Sequence, residues 1–162
     1  MSKKIIVRIA EGIGNQLFMY AHAYSLSKNI NYDLFIDNTS GYFKKKNQVR
    51  SYQLDKFNIH TSLSKKKYRF DTFSLNIKRN ILKKLDFFKK KKLFLLETTS
   101  DNKITQYIDT DMNNFSDLLY IEGYFESEKY FKKFKNKLQS KFTIKDKYID
   151  QKNKFIELLK NS

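Results

Sequence analysis

Gly12-Ile13-Gly14-Asn15 is the stretch of this chain with the most chemical potential. It follows an apolar, β-branched run and precedes a helical pattern. At such a junction, free backbone N–H groups and the positive end of a helix dipole favour an anion. A nucleotide diphosphate is a sensible guest. The glycines complete no known fingerprint: the third glycine of the dinucleotide-binding pattern is missing, and no Gly-Lys-Ser/Thr marks a P-loop. Anion binding and an ordinary tight strand–helix turn both satisfy the pattern. The chain has four glycines and three alanines. Gly12, Gly14, Ala10, Ala21 and Ala23 all fall in or just after this stretch. Against a background of Lys, Asn, Ile, Phe and Tyr, that cluster implies steric demand: close backbone approach, or a helix packed tightly on a strand.

The carboxylates come next. Glu122, Glu126 and Glu128 flank Tyr124-Phe125, after the apolar run Leu118 to Ile121. The C-terminal end of a strand is where α/β proteins place ligands. Glu122 and Glu126 are therefore candidate general bases, whereas Glu128 reads as a first-turn dipole partner. Tyr124 and Phe125 can stack on a sugar or fill the core. Asp109-Thr110-Asp111 has the D-x-D form of metal-dependent sugar-nucleotide transferases, where paired carboxylates hold a divalent cation on the diphosphate. A capping or loop-solvating pair produces the same three residues and is the better reading. His22 lies on the helix after the glycine loop and His60 is the only other histidine. A helix-surface or core role suits His22. No His/Asp/Glu spacing matches a metal site, and no Ser-His-Asp set emerges. Without cysteine there is no disulfide, thiolate site or cysteine nucleophile.

Several elements must position these groups. Residues 4–10 read as a strand, 11–14 as a tight loop, 16–28 as a helix capped by Asn15, and 32–37 as a second strand ending in Asp37. This β-loop-α-β unit has the length of a parallel, right-handed crossover, which makes α/β the expected fold class. Phe73, Ile77, Ile81 and Leu85 recur every four residues and mark one helix face. Short strands are expected at 93–96, 104–109 and 118–121. Ser127 can cap a helix presenting Phe131, Phe134 and Leu138. Tyr148, Lys152, Phe155 and Leu159 mark a last amphipathic helix.

At 162 residues with 40% apolar content, one domain with a real core is within reach. The net charge is +16. It fits either an anionic partner or a lysine bias on solvated faces. The basic residues include only four arginines, which argues against bidentate nucleic-acid readout. No window approaches a transmembrane span, and the N-terminus has no signal-peptide core. A cytoplasmic location is expected, with scope for a peripheral contact between the basic surface and the inner membrane face.

Three segments together resemble glycosyltransferase family 11, the α-1,2-fucosyltransferases. Gly12-Ile13-Gly14-Asn15-Gln16-Leu17-Phe18-Met19-Tyr20-Ala21 resembles the family's G-x-G-N-Q-x-F-x-Y-A signature. Arg50-Ser51-Tyr52-Gln53-Leu54-Asp55-Lys56-Phe57-Asn58-Ile59 is similar to its R-x-Y-x-L-x-x-F-N-I segment. Glu122-Gly123-Tyr124-Phe125-Glu126-Ser127-Glu128-Lys129-Tyr130-Phe131 is similar to its G-Y-[W/F]-Q-S-E-K-Y-F segment. Order and approximate spacing match as well.

The resemblance implies a GT-B-type enzyme of two Rossmann-like halves. Residues 1–145 would form the N-terminal Rossmann-like domain, with a basic helical region at about 64–92. Residues 146–162 would form a terminal amphipathic helix leading towards a C-terminal donor-binding domain. It further implies transfer of fucose from GDP-β-L-fucose to a galactose 2-hydroxyl, with inversion and without metal or cofactor. The implied partners are GDP-fucose and a galactoside-containing glycan, with no nucleic acid. Gly12, Gly14 and Asn15 would face the donor diphosphate, with Gln16 supporting the loop, and Tyr124 and Phe125 would lie on the acceptor side. Three departures stand out. The family usually has Gly at the position of Glu11 and Gln at that of Glu126. Its His-x-Arg-Arg-Gly-Asp motif is not among these 162 residues. That motif carries the arginine expected to neutralise the leaving diphosphate, a transition-state contribution that usually dominates catalysis. An N-terminal half, inactive alone, is therefore expected. The rival reading is a basic, non-catalytic α/β module that binds nucleic acid or an anionic membrane surface.

Overall fold

A computed structural model describes residues 2–43, 50–97 and 114–150. Strand β1 (Lys4–Arg8) runs into helix α1 (Ile13–Asn29) and then strand β2 (Asp33–Asp37). Helix α2 (Phe73–Asp86) follows, then β3 (Lys92–Leu96), β4 (Phe115–Glu122) and the short helix α3 (Lys135–Lys141). The four strands are parallel in the order β2-β1-β4-β3. This is an α/β architecture with the parallel sheet and crossover of a Rossmann-like fold, as the β-loop-α-β pattern predicts.

Apolar side chains leave both faces of the sheet, as a parallel sheet covered on both sides requires. On one face Ile5, Val7, Leu119, Ile121 and Leu95 pack with Met19, Tyr20, Ala23 and Leu26 of α1. On the other, Ile6, Phe94 and Tyr120 pack with Phe70 and Leu82. Ala21 and Ala23 are fully buried, so the steric demand expected of the alanines is met on α1. Helix α1 is also covered on its far side. Phe18 meets Phe131, Tyr24 meets Phe134, and Tyr20 meets Phe142, with ring centroids about 6 Å apart.

Two expectations need correction. Helix α1 begins at Ile13 with Gly12 as N-cap and no side-chain cap, so Asn15 lies within the first turn instead of capping it. The Gln16 N–H already donates to the Gly12 carbonyl, at 3.1 Å. The helix expected after Ser127 is broken into 3-10 turns at Glu128–Tyr130 and Lys132–Phe134 before α3. Phe131 sits at the break with φ −137°, ψ 8°, where its ring turns to Phe18. Helix α2 forms where the four-residue spacing predicts a helix face. Its apolar row at 73, 77, 81 and 85 faces solvent, while Arg79, Lys83 and Asp86 face the sheet. Asp86 is buried and accepts from the N–H groups of Leu93 (2.8 Å) and Phe94 (3.0 Å), so it tethers the start of β3. The strand expected at 104–109, the pair Asp109/Asp111 and most of the last amphipathic helix lie outside the described residues.

Candidate functional site

The strand ends decide where the site lies. A cleft of about 380 Å³ opens beyond the C-terminal ends of β1, β3 and β4. Arg8 contributes from β1, Glu97 from just after β3, and Glu122 with Tyr124 from the end of β4. Lys83 reaches in from α2, and Glu11 from the glycine loop. Open α/β sheets bind ligands at this end of the strands. A second cleft of equal size lies along edge strand β2, beside His60 and Tyr32. It lacks that relation to the strand ends.

Each cleft charge is held by its own neighbour. Glu122 takes Lys83 at 2.8 Å and Arg79 at 3.5 Å. Arg8 donates to the Ser40 carbonyl at 3.2 Å. Ser40 is in turn fixed by buried Asp37, which accepts from the Ser40 N–H (3.0 Å), the Thr39 N–H (3.1 Å) and the Tyr120 hydroxyl. Gly41 closes this loop onto β1, because a Cβ there would sit 1.9 Å from the Ile9 carbonyl oxygen. Glu97 accepts from the backbone N–H groups of Tyr124 and Phe125, each at 2.6 Å. Gly123 permits that contact, since its Cβ would meet Glu97 Cβ at 2.4 Å. Arg8 Nε and Glu97 Oε1 are buried and have no hydrogen-bond partner among the described residues, while Glu122 Oε1 has only the ion pair to Arg79. Beside the cleft, one donor, Arg8 Nε, and one acceptor, Glu97 Oε1, are left unmatched.

The glycine loop borders this cleft. Glu11 adopts φ +62°, a left-handed conformation that costs glycine nothing and other residues about 1 kcal/mol or more. Arg50 meets its carboxylate at 3.0 Å. Gln16 is completely buried and acts as a clasp. Its amide donates to the carbonyls of Glu11 and Ser51, both at 2.8 Å, and accepts from the Gln53 N–H at 2.9 Å. It thus ties the glycine loop to the Arg50–Ile59 segment and holds the loop in place. Gly12 and Gly14 contradict the expected crowding: nothing lies within 4 Å of a Cβ built on either. The crowded glycines are Gly41 and Gly123. At Gly12 and Gly14 the structure instead leaves open space, and Asn15 follows in the first turn of a helix that has no acidic residue there.

The remaining candidates separate. Tyr124 lines the cleft and is partly exposed. Phe125 is buried in the core with its ring stacked on His22 at 4.0 Å. Glu126 is exposed and does not line the cleft. His22 is a core residue, enclosed by Phe125 and Tyr130, and burial lowers its pKa to about 3. Neither ring nitrogen has a partner among the described residues. Among those residues, no group of three His, Asp or Glu side chains could hold a metal ion.

Sequence reasoning missed Arg8, Lys83 and Glu97. A signal existed for Arg8. In a chain where lysine is the default cation, each of the four arginines makes a specific contact: Arg8 with Ser40, Arg50 with Glu11, Arg69 with Ser64, and Arg79 with Glu122. The planar guanidinium fork is the feature lysine cannot supply. Nothing local distinguishes Lys83 from its lysine neighbours, or Glu97 from other loop carboxylates.

With this geometry in view, the comparisons with known proteins fall into place. The chain is similar to an alpha-1,2-colitosyltransferase from Escherichia coli, at 30% identity over 148 residues. The match covers 91% of this chain and 48% of that protein, so the chain spans about half the length of the curated relative it matches. That similarity supports a glycosyltransferase relationship. No protein-family model matches, and no solved structure does.

Proposed function

We propose that this chain is the Rossmann-like, largely acceptor-side half of an inverting glycosyltransferase of the GT-B type, close in kind to the α-1,2-fucosyltransferases. The donor is a GDP-linked deoxyhexose, GDP-fucose by the motif resemblance, and the acceptor is a galactoside-containing glycan. One observation carries this reading. The charged cleft at the strand ends adjoins the helix N-terminus left open at Gly12 and Gly14, in a chain that matches a sugar transferase at 30% identity over 91% of its length.

In the intact reaction an acceptor hydroxyl oxygen attacks the anomeric carbon of the donor sugar. The bond to the diphosphate breaks and GDP departs with the electron pair. No metal or cofactor takes part. The helix N-terminus and Arg8 favour the developing negative charge on the diphosphate. A carboxylate takes the hydroxyl proton. Glu97 is better suited than the alternatives: one of its oxygens is unmatched in the cleft, Glu122 is bridged by two cations, and Glu126 lies off the cleft. Tyr124 offers the sugar a ring face.

Full turnover requires a second, donor-binding half that brings the arginine for the leaving group. Calorimetric titration with GDP and GDP-fucose, and transfer assays on lactose with GDP-fucose and GDP-colitose, test this reading. Weak GDP binding by the chain alone is expected, with transfer only after a cognate C-terminal half is added. Robust turnover by the 162-residue chain alone would overturn the need for that half. No GDP binding even with the added half would overturn the donor-loop assignment.

A further inference from the structure

The outer side of α2 is built the wrong way round for a soluble helix. Ile77, Ile81 and Leu85 are each about half exposed, at 46–53%, and Phe73 is 61% exposed at the head of the same row. The turn that follows adds Phe87 and Phe88, exposed at 79% and 82%. Folded proteins seldom leave contiguous apolar rows of this kind in water unless something covers them.

The rim of the row is cationic. Lys78, Lys84 and Lys89–Lys91 are exposed beside it. Between residues 73 and 92 there are eight Lys and Arg residues and one acid. That acid is Asp86, which is buried and bonded to the start of β3, so within residues 73–92 no carboxylate stands among the lysines on the outer side.

We propose that this face of α2, with the Phe87-Phe88 turn, docks on an anionic lipid bilayer. Helices with an apolar face and lysines at its rim lie in the plane of the headgroups, with the apolar side chains at the acyl boundary. The lysines extend along the surface towards anionic headgroups. Charge separates this occupant from the others. A second copy would bring a +16 chain against the same lysine row, which repels it. A nucleic acid would satisfy the lysines through phosphate but leave the Ile and Leu row without an apolar partner. Lys83 of the same helix lines the cleft from the opposite side. Docking would therefore hold the cleft within about one helix diameter, ~10 Å, of the headgroups.

Flotation of the full 162-residue chain with vesicles provides the test. One set contains a quarter phosphatidylglycerol in phosphatidylcholine, and the other is pure phosphatidylcholine. Binding to the anionic set alone, in about 0.15 M salt, is expected. The combined variant Ile81→Ser, Leu85→Ser, Phe88→Ser should bind about tenfold or more weakly, because the apolar contribution is gone. Its circular dichroism and thermal midpoint should stay unchanged, since these side chains are exposed. The chain has no tryptophan, so Phe88→Trp adds a single reporter. Its emission should shift blue and be quenched by brominated lipid in the anionic vesicles. Equal binding by the serine variant, an unquenched indole, or a concentration-dependent dimer abolished by the serine variant would each overturn the proposal.

Discussion

Lys83 Nζ lies 2.8 Å from Oε2 of Glu122, joining the inner side of α2 to the end of β4 at the cleft wall. This ion pair explains why α2 turns its apolar row outward. Glu122 is only 10% exposed and needs cations, and α2 supplies Lys83 and Arg79 one turn apart. A buried carboxylate without them would cost more than leaving several aliphatic side chains half in water. Replacing Glu122 with Gln should leave two cations facing a neutral amide and lower stability by about 2 kcal/mol. In a double-mutant cycle with Lys83→Met, read by urea unfolding, the coupling should reach about 0.5 kcal/mol or more. Strict additivity would show that Arg79 alone holds Glu122.

Gln16 should be among the costliest polar positions to change. Gln16→Ala removes three hydrogen bonds and leaves the Glu11 and Ser51 carbonyls and the Gln53 N–H without their partner. A loss of about 3 kcal/mol is expected. Gln16→Leu should do no better, because volume is not what the site lacks. A urea midpoint unchanged in either variant would contradict the clasp.

Glu11 sets backbone strain against an ion pair. Glu11→Gly removes the left-handed strain and loses a contact to the largely exposed Arg50, so stability should change by less than about 1 kcal/mol. Glu11→Ala keeps the strain and loses the contact. The glycine variant should therefore exceed the alanine variant by about 1 kcal/mol in thermal unfolding. The reverse order would mean that the φ of +62° relaxes without cost.

The glycines should divide by position. Gly14→Ala puts a methyl into open space in the first turn of α1 and should stabilise by up to about 0.5 kcal/mol. If that space admits a diphosphate, the same variant weakens GDP binding in calorimetry. Gly123→Ala drives a methyl into Glu97 and the Phe125 ring, at φ +157°. It should destabilise by about 2 kcal/mol or more. Equal effects at the two positions would rule out the contrast in crowding.

His22 links stability to pH. Burial between Phe125 and Tyr130 lowers its pKa to about 3, against 6.5 for a free imidazole. The folded state keeps the ring neutral while the unfolded chain takes up a proton below about 6.5. The stability associated with neutral His22 is thus full above pH 6.5 and is lost as pH falls from there towards 3. The slope from this one group approaches about 1 kcal/mol per pH unit. Thermal midpoints measured from pH 7 to pH 5 should fall in the parent and fall less in His22→Phe, which keeps the ring stack. Parallel profiles would show that His22 stays solvated.

The local pattern alone was enough to place β1, α1 and β2, because β-branched runs, a glycine turn and a crossover of the right length are short-range features. It also marked Glu122 and Tyr124, since a strand followed by glycine announces its own C-terminal end. Helix α2 shows the limit. Its four-residue apolar period was legible, but the side facing the sheet was not. That orientation depends on Glu122, 39 residues away from Lys83, and on the N–H groups at the start of β3 that donate to Asp86. The glycines show it again. Their rarity was visible, yet which of them face crowding depends on what the fold brings beside them. Ile9 packs at Gly41 and Glu97 at Gly123, while Gly12 and Gly14 stay open. Periodicity is carried by neighbours along the chain. Arg8, Lys83, Glu97 and Glu122 come to line one cleft only once a parallel sheet draws three strand ends together, and no spacing along the chain encodes it.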